Sequence, residues 1–243
     1  MSRILVTGSS EGLGRATAEA LLAGGHDVVV HARTDARLAV LAPLLDRGAL
    51  AVVGDLAALD QVQDVAAQAN ALGVFDAVIH NAGVLDGGAL LPVNVVAPYV
   101  LTAQMARPRR LIYLSSGMHR GGTPSLAGVD WSGVQRSHSY SDSKLFLTTL
   151  AAAVAQSWPE VSVHAVDPGW VPTRMGGPNA NDDLAMGHQT QAWLAAEEQQ
   201  PGFRYWFHRA VHQPHPAVHD GHFQAELMRS LADFSGLVLA GVA

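Results

Sequence analysis

The sequence predicts an α/β fold, a doubly wound parallel sheet forming a single domain over residues 1–243. Three observations predict it. Six short apolar runs alternate with stretches of helical periodicity between residues 3 and 166, the pattern of a sheet covered on both faces. The first run opens into a glycine-rich turn and then a helix. Polar side chains fall at the ends of later runs, where such sheets bind ligands.

The first run, Arg3 to Thr7, reads as a buried strand. Thr7-Gly8-Ser9-Ser10-Glu11-Gly12-Leu13-Gly14 forms the turn, and the helix behind it ends at Gly24-Gly25. Glycines in this context let backbone approach a pyrophosphate at the helix N-terminus. The spacing Gly-x-x-x-Gly-x-Gly differs from the fingerprint Gly-x-Gly-x-x-Gly. Asp27 to His31 is the second strand, and Arg33 stands at its tip, nineteen residues beyond Gly14. An acidic residue there would favour NAD. Arginine suits a 2′-phosphate and favours NADP(H), unless it is an ordinary surface arginine opening the next helix. Glu11 lends no support and is mildly repulsive to a phosphate.

Residues 35–46 and 58–71 read as helices, and 49–53 as a strand ending at Gly54-Asp55. Phe75 to His80 is a fourth strand running into Asn81-Ala82-Gly83. Asp55, Asn81 and Gly83 are placed either as ligand contacts or as turn and cap residues. Residues 89–105 read as an apolar helix holding one amide, Asn94, which needs a partner. Arg109 to Ser116 is a fifth strand ending in the hydroxyls of Ser115 and Ser116. Residues 117–136 form a connection too long for a plain linker. Val161 to Val166 is a sixth strand leading into Asp167-Pro168-Gly169-Trp170-Val171-Pro172-Thr173.

Between the last two strands lies Tyr140-Ser141-Asp142-Ser143-Lys144. Residues four apart share a helix face, so phenol and ammonium project together. A fixed positive charge favours the phenolate, and the pair suggests a tuned acid/base. Lys144 is the only lysine among 15 basic residues, and lysine and arginine are not interchangeable in a tight site. Taken alone, the pair is equally compatible with a solvated helix face.

Composition narrows the class. Hydrophobic residues make up 49 % and charged residues 15 %, with a formal net charge of −6. No basic stripe points to nucleic acid or an anionic membrane. The absence of cysteine excludes disulfides, thiol nucleophiles and Cys-zinc sites. No signal-peptide core or bilayer-length apolar run occurs, so a cytoplasmic protein is expected.

Assembled in order over residues 3 to 175, these features resemble the short-chain dehydrogenase/reductase family, whose fold is Rossmann-type. The resemblance rests on Thr7-Gly8-x-x-x-Gly12-x-Gly14, Asp55, Asn81-Ala82-Gly83, Asn94, Ser115-Ser116, Tyr140-x-x-x-Lys144 and Pro168-Gly169-x-Val171-x-Thr173. The insert opening Ser115-Ser116-Gly117-Met118-His119 looks most like the branch of retinol-dehydrogenase-like and protochlorophyllide-reductase-like enzymes. Only thirteen residues separate Asn81 from Asn94, shorter than the family usually shows.

The resemblance implies a catalytic set. Tyr140 would donate a proton to a carbonyl oxygen, and Lys144 would lower its pKa and hold the nicotinamide ribose. Ser116, rather than Ser115, would orient the carbonyl, and Asn94 would hold a water passing protons to Lys144. It also implies cofactor contacts from Gly8, Ser10, Gly12, Leu13, Gly14, Arg33, Asp55, Asn81, Gly83, Pro168, Gly169, Val171 and Thr173, and a homo-oligomer.

After Thr173, residues 174–179 read as a mobile substrate loop, 182–195 as a helix with Asp182-Asp183 at its N-terminus, and Gly202 to Phe207 as a last strand. Met118, Trp131, Trp170, Met175 and Met186 flank the carbonyl site, either as walls for a bulky apolar ketone or aldehyde or as plain core. His208, His212, His215, His219 and His222 have helical spacing. Pro214 and Pro216 break that helix, so a polar surface extension is expected and no metal site. The apolar end, residues 237–243, is expected against the sheet or another subunit. The leading reading is an NADP(H)-dependent carbonyl reductase or alcohol dehydrogenase acting on a small molecule. The alternatives are an epimerase or dehydratase with bound NAD, and a non-catalytic dinucleotide sensor.

Overall fold

A computed structural model describes residues 1–241. Strands β1 (Arg3–Val6), β2 (Asp27–Ala32), β3 (Leu50–Val53), β4 (Ala77–His80), β5 (Arg110–Leu114), β6 (Ser162–Asp167), β7 (Gly202–Phe207) and β8 (Ala210–His212) form one sheet in the order 3-2-1-4-5-6-7-8. The first seven are parallel, and β8 returns antiparallel along β7. That hairpin turns on His208 and Arg209, both at positive φ. The sequence reading ended the sheet at β7. A three-residue strand whose side chains are all exposed has no buried face to produce an apolar pattern.

Helices α1 (Gly12–Ala23), α2 (Leu38–Leu45) and α6 (Leu184–Ala196) cover one face. Helices α3 (Leu59–Ala71), α4 (Ala97–Gln104), α5 (Tyr140–Ser157) and α7 (Gly221–Ser235) cover the other. Three expected helices are altered locally. Residues 35–37 are a 3-10 turn before α2. The helix expected over 89–105 contains a π-helical stretch, Pro92–Val96, with Asn94 inside it; such bulges cluster at functional sites. The N-cap of α6 is Asp183, which accepts from the Ala185 N–H, while Asp182 is used elsewhere.

Helix α7 was not legible beside the histidines. Its signal was present in Phe223, Leu227, Met228 and Leu231, which recur at helical spacing and are all buried. Asp220 caps its start and Gly236, at φ +70, its end. Phe223 packs on Phe146 of α5, and Trp131 meets the other edge of Phe146. The tail beyond α7 packs within the same chain. The Tyr99 hydroxyl donates to the Leu237 carbonyl, the Trp158 indole N–H to that of Ala240, and Leu239 is buried. Val242 and Ala243 lie outside the described residues. No described helix is long and apolar enough to cross a membrane.

Strand order reverses about β1, with β2 on one side and β4 on the other, and ligands bind where it does so. Asn81 ties this point together. Its amide donates to the Thr7 and Gly8 carbonyls at 2.8 and 3.2 Å, and its backbone N–H donates to the Thr7 hydroxyl at 2.9 Å.

Candidate active site

The glycine turn is shaped to receive an anion. Gly8 and Gly12 have φ of +64° and +57°, a conformation glycine adopts freely. Glu11 makes no side-chain capping bond to α1, so the first N–H groups of the helix remain for a ligand. A Cβ on Gly14 would lie 2.3 Å from the Asn81 amide nitrogen and 2.4 Å from the Gly8 carbonyl oxygen. One on Gly12 would lie 3.3 Å from Thr173. A Cβ on Gly187 of α6 would meet both Val171 and Leu13. Gly14 therefore packs on Asn81 and Gly8, Gly12 on Thr173, and Leu13 and Val171 on Gly187 of α6, around one turn. The Asn81 Oδ1 atom is buried there without a partner.

Pro168 and Gly169 follow β6 at the same edge. Gly169, at φ +80°, presses against Asp182, whose carboxylate accepts from the Trp170 N–H at 2.6 Å. Asp182 thus fixes the loop rather than the helix end. Asp55 accepts from the Ala57 N–H at 3.0 Å, a turn contact.

Arg33 is exposed beyond β2. The fold adds a second arginine that the sequence reading passed over. Arg37 donates to the Ser10 hydroxyl at 3.1 Å and lies 3.7 Å from Glu11. Arg174 pairs with the same carboxylate at 2.7 Å. Glu11, expected to repel phosphate, is countered by these two guanidinium groups. His31 was also missed. Its Nδ1 accepts from the Gly8 N–H at 3.1 Å and its Nε2 lies 2.8 Å from the Gly54 carbonyl, locking the turn to the end of β3.

The acid/base pair starts α5. Ser139 and Asp142 form a reciprocal capping box, which fixes Tyr140 in the first turn. Ser115 is buried and spends its hydroxyl on Thr148 at 2.6 Å, leaving Ser116 to face the phenol. Burial pushes Tyr140 up to about 12; the Ser116 hydroxyl opposes the shift and the Asp167 carboxylate adds to it. Lys144 lies 5.6 Å from the Tyr140 ring centre. Its ammonium is buried, donates to the Leu114 carbonyl at 2.7 Å, and is pushed down to about 8 by burial. No carboxylate pairs with it among the described residues. The expected lowering of the Tyr140 pKa is therefore reversed in the protein alone. Removing the phenolate from water is the largest cause of that rise.

Asn94 finds the partners its burial requires. Its Oδ1 accepts from the Val84 N–H at 2.8 Å, and its Nδ2 donates to the Val84 carbonyl and the Ser143 hydroxyl, both at 3.0 Å. The side chain braces the short 81–94 segment against α5. Gly83 completes this corner, where a Cβ would lie 3.4 Å from both the Asn94 oxygen and the Lys144 nitrogen.

Of the expected substrate walls, Met118, Trp170, Met175 and Met186 are exposed. Trp131 is not one of them. It is buried, donates to the Ser230 hydroxyl at 2.8 Å and belongs to the α5–α7 core. The histidine-rich segment is not a detached extension but passes through β8 and a 3-10 turn to α7. Among the described residues no group of three His, Asp or Glu converges as a metal site would require.

A family profile described as short chain dehydrogenase matches residues 2–107. An uncharacterised oxidoreductase of Emericella nidulans is 36 % identical, covering 99 % of this chain and 100 % of its own. The short-chain dehydrogenase chyC of Penicillium rubens is 32 % identical, covering 98 % and 99 %. A short-chain dehydrogenase/reductase of Burkholderia multivorans, solved with bound NADP, superposes with a TM-score of 0.69 at 25 % identity over 86 % of this chain and 96 % of that one. These full-length similarities, on the fold and site described above, make the chain an oxidoreductase of the short-chain dehydrogenase/reductase family.

Proposed function

We propose that the protein is an NADP(H)-dependent carbonyl reductase acting on bulky, apolar ketones or aldehydes. The observation that carries the reading is the convergence of Ser116, Tyr140 and Lys144 at the strand ends next to the glycine turn. When bound, the reduced nicotinamide supplies the hydride. Ser116 holds and orients the substrate oxygen. Tyr140, a neutral phenol at physiological pH, donates its proton to that oxygen as negative charge develops there. The Lys144 ammonium stabilises the resulting phenolate and reaches the nicotinamide ribose.

The cofactor preference follows from charge. Arg33 is exposed just beyond β2 and Arg37 donates to the Ser10 hydroxyl, so a 2′-phosphate at the tip of β2 would be met by forked donors. Several structural neighbours were crystallised with NADP. The substrate class rests on the exposure of Met118, two residues after Ser116, and of Trp170, Met175 and Met186 in the segments that follow β6, since exposed apolar surface marks ligand or partner sites.

Thermal unfolding with NADPH, NADH or neither is the direct test. A ligand at a hundred times its dissociation constant stabilises by roughly 2.7 kcal/mol. The reading expects NADPH to raise Tm more than NADH, and an aromatic ketone to be reduced faster than a small charged keto acid. Equal shifts, or a larger one with NADH, would remove the arginines from the site and favour an epimerase or dehydratase with bound NAD.

A further inference from the structure

The reading above gives the histidine-rich segment no role, yet the structure joins it to the catalytic serine. His119 is fully buried on the 3-10 turn Gly117–Gly121, which Ser116 caps. Its Nδ1 lies 2.7 Å from the Ser116 carbonyl oxygen, which also accepts from the His119 backbone N–H at 3.1 Å. A carbonyl oxygen only accepts, so Nδ1 carries the proton. On the far side of the ring, Nε2 accepts from the His215 backbone N–H at 3.0 Å. An amide N–H only donates, so Nε2 carries none. Both partners select the same neutral tautomer.

Neighbouring contacts strengthen the joint. The His119 ring packs against Tyr205, with centroids 4.7 Å apart. Arg120 donates to the Gln213 carbonyl at 2.9 Å. His215 caps the following turn by accepting from the Ala217 N–H at 3.1 Å. The catalytic turn and residues 213–217 are thus pinned at two adjacent points.

We propose that His119 is a positioning residue for Ser116, bracing its backbone against the C-terminal segment so that its hydroxyl keeps facing Tyr140. The inference rests on the reading of Ser116 as the group that orients the carbonyl. The hydroxyl itself has a weak local restraint, accepting from the Met118 N–H at 3.2 Å. Gly117 beside it offers no side chain to limit backbone rotation. On the carbonyl side of the residue, His119 adds two bonds. A catalytic group displaced by about 1 Å can lose roughly a hundredfold in rate. The segment 213–217 is then active-site scaffolding, although none of its residues touches the reacting atoms.

The test is a double-mutant cycle in the full chain with His119→Phe, Ser116→Ala and both together. Turnover is followed on an aromatic ketone, and NADPH affinity is titrated separately. Phenylalanine keeps the ring volume and removes both bonds. His119→Phe is expected to lower kcat about tenfold or more, with the NADPH Kd changed less than about twofold. In the Ser116→Ala background the same change is expected to do almost nothing, because the group it positions is gone. Multiplicative losses, unchanged kcat in the single variant, or a Kd that worsens in step with kcat would each overturn the proposal. If His119→Phe does not fold, His119→Leu serves in the same cycle, since it too removes both bonds. Full activity in Ser116→Ala alone would sink the reading of Ser116, and this inference with it. A strong loss there combined with multiplicative His119 effects would overturn this inference alone.

Discussion

The Lys144 ammonium donates to the carbonyl of Leu114, the last residue of β5, at 2.7 Å, immediately before the two serines that follow the strand. The contact fixes the cation from the end of a strand rather than by an ion pair. It leaves the charge buried and dependent on the site for its remaining partners, which is the state a ligand-holding lysine needs.

That geometry predicts a trade of stability for function. A lysine whose folded pKa is depressed from 10.5 to about 8 is charged at a disadvantage below pH 8. Folding stability therefore rises as pH climbs from about 8 towards 10.5, where the unfolded chain holds the proton and the folded one does not. Lys144→Met is expected to raise stability at pH 7 by roughly 1–3 kcal/mol and to abolish turnover. Denaturant titration beside a rate assay checks both; a variant less stable than the wild type would refute the account of an unpaired buried charge.

Tyr140→Phe removes one oxygen from a side chain at the start of α5. Turnover is expected to fall by about 10²–10⁴-fold, with NADPH affinity nearly unchanged. Steady-state rates and a binding titration separate the two effects. Near-normal turnover would take Tyr140 out of the proton-transfer role.

Buried histidines predict acid sensitivity. Burial pushes His80 down to about 3, and His119 and His164 down to about 4. These groups are neutral in the fold and protonate more readily when unfolded. Their contribution is intact above about pH 6.5 and is lost as pH falls towards 4. A Tm that declines steadily between pH 6.5 and 4 is expected. The decline should be shallower for His164→Phe, since both His164 ring nitrogens lack a partner. A flat profile across that window would mean that these rings take up protons without unfolding.

At the glycine turn, Gly14→Ala sets a Cβ against the Asn81 amide and the Gly8 carbonyl. Neither can retreat without opening the junction of β1 and β4. A loss of more than about 2 kcal/mol is expected, with NADPH binding lost as well. Gly25→Ala, where nothing lies within 4 Å but φ is +77°, meets backbone strain alone and should spare cofactor affinity. Differential scanning with and without NADPH distinguishes them.

The order of strands and helices was legible because each apolar run or periodic stretch records a local burial pattern. The glycine turn, Asn81 and the Tyr140–Lys144 pair were legible as candidates because they sit at one strand end or on one helix turn, while Ser116 was singled out over Ser115 by the family resemblance. Helix α7 was partly hidden: its apolar spacing is present, but it follows a stretch dominated by histidine and proline. The exposed strand β8 left no pattern at all.

What the sequence determined by itself is therefore the α/β scaffold, a consequence of periodicities 2 and 3.6, and, through residue chemistry and the family resemblance, the set of candidate reactive side chains. Tertiary structure decided the rest. It brought Arg37 to Ser10 across 27 residues, His31 to Gly8 across 23, and His119 to His215 across 96. It placed Trp131 in the core and turned Asn94 into a brace. It also set the protonation of Tyr140 and Lys144, because desolvation depends on what surrounds a group in space and leaves no mark on its neighbours in the chain.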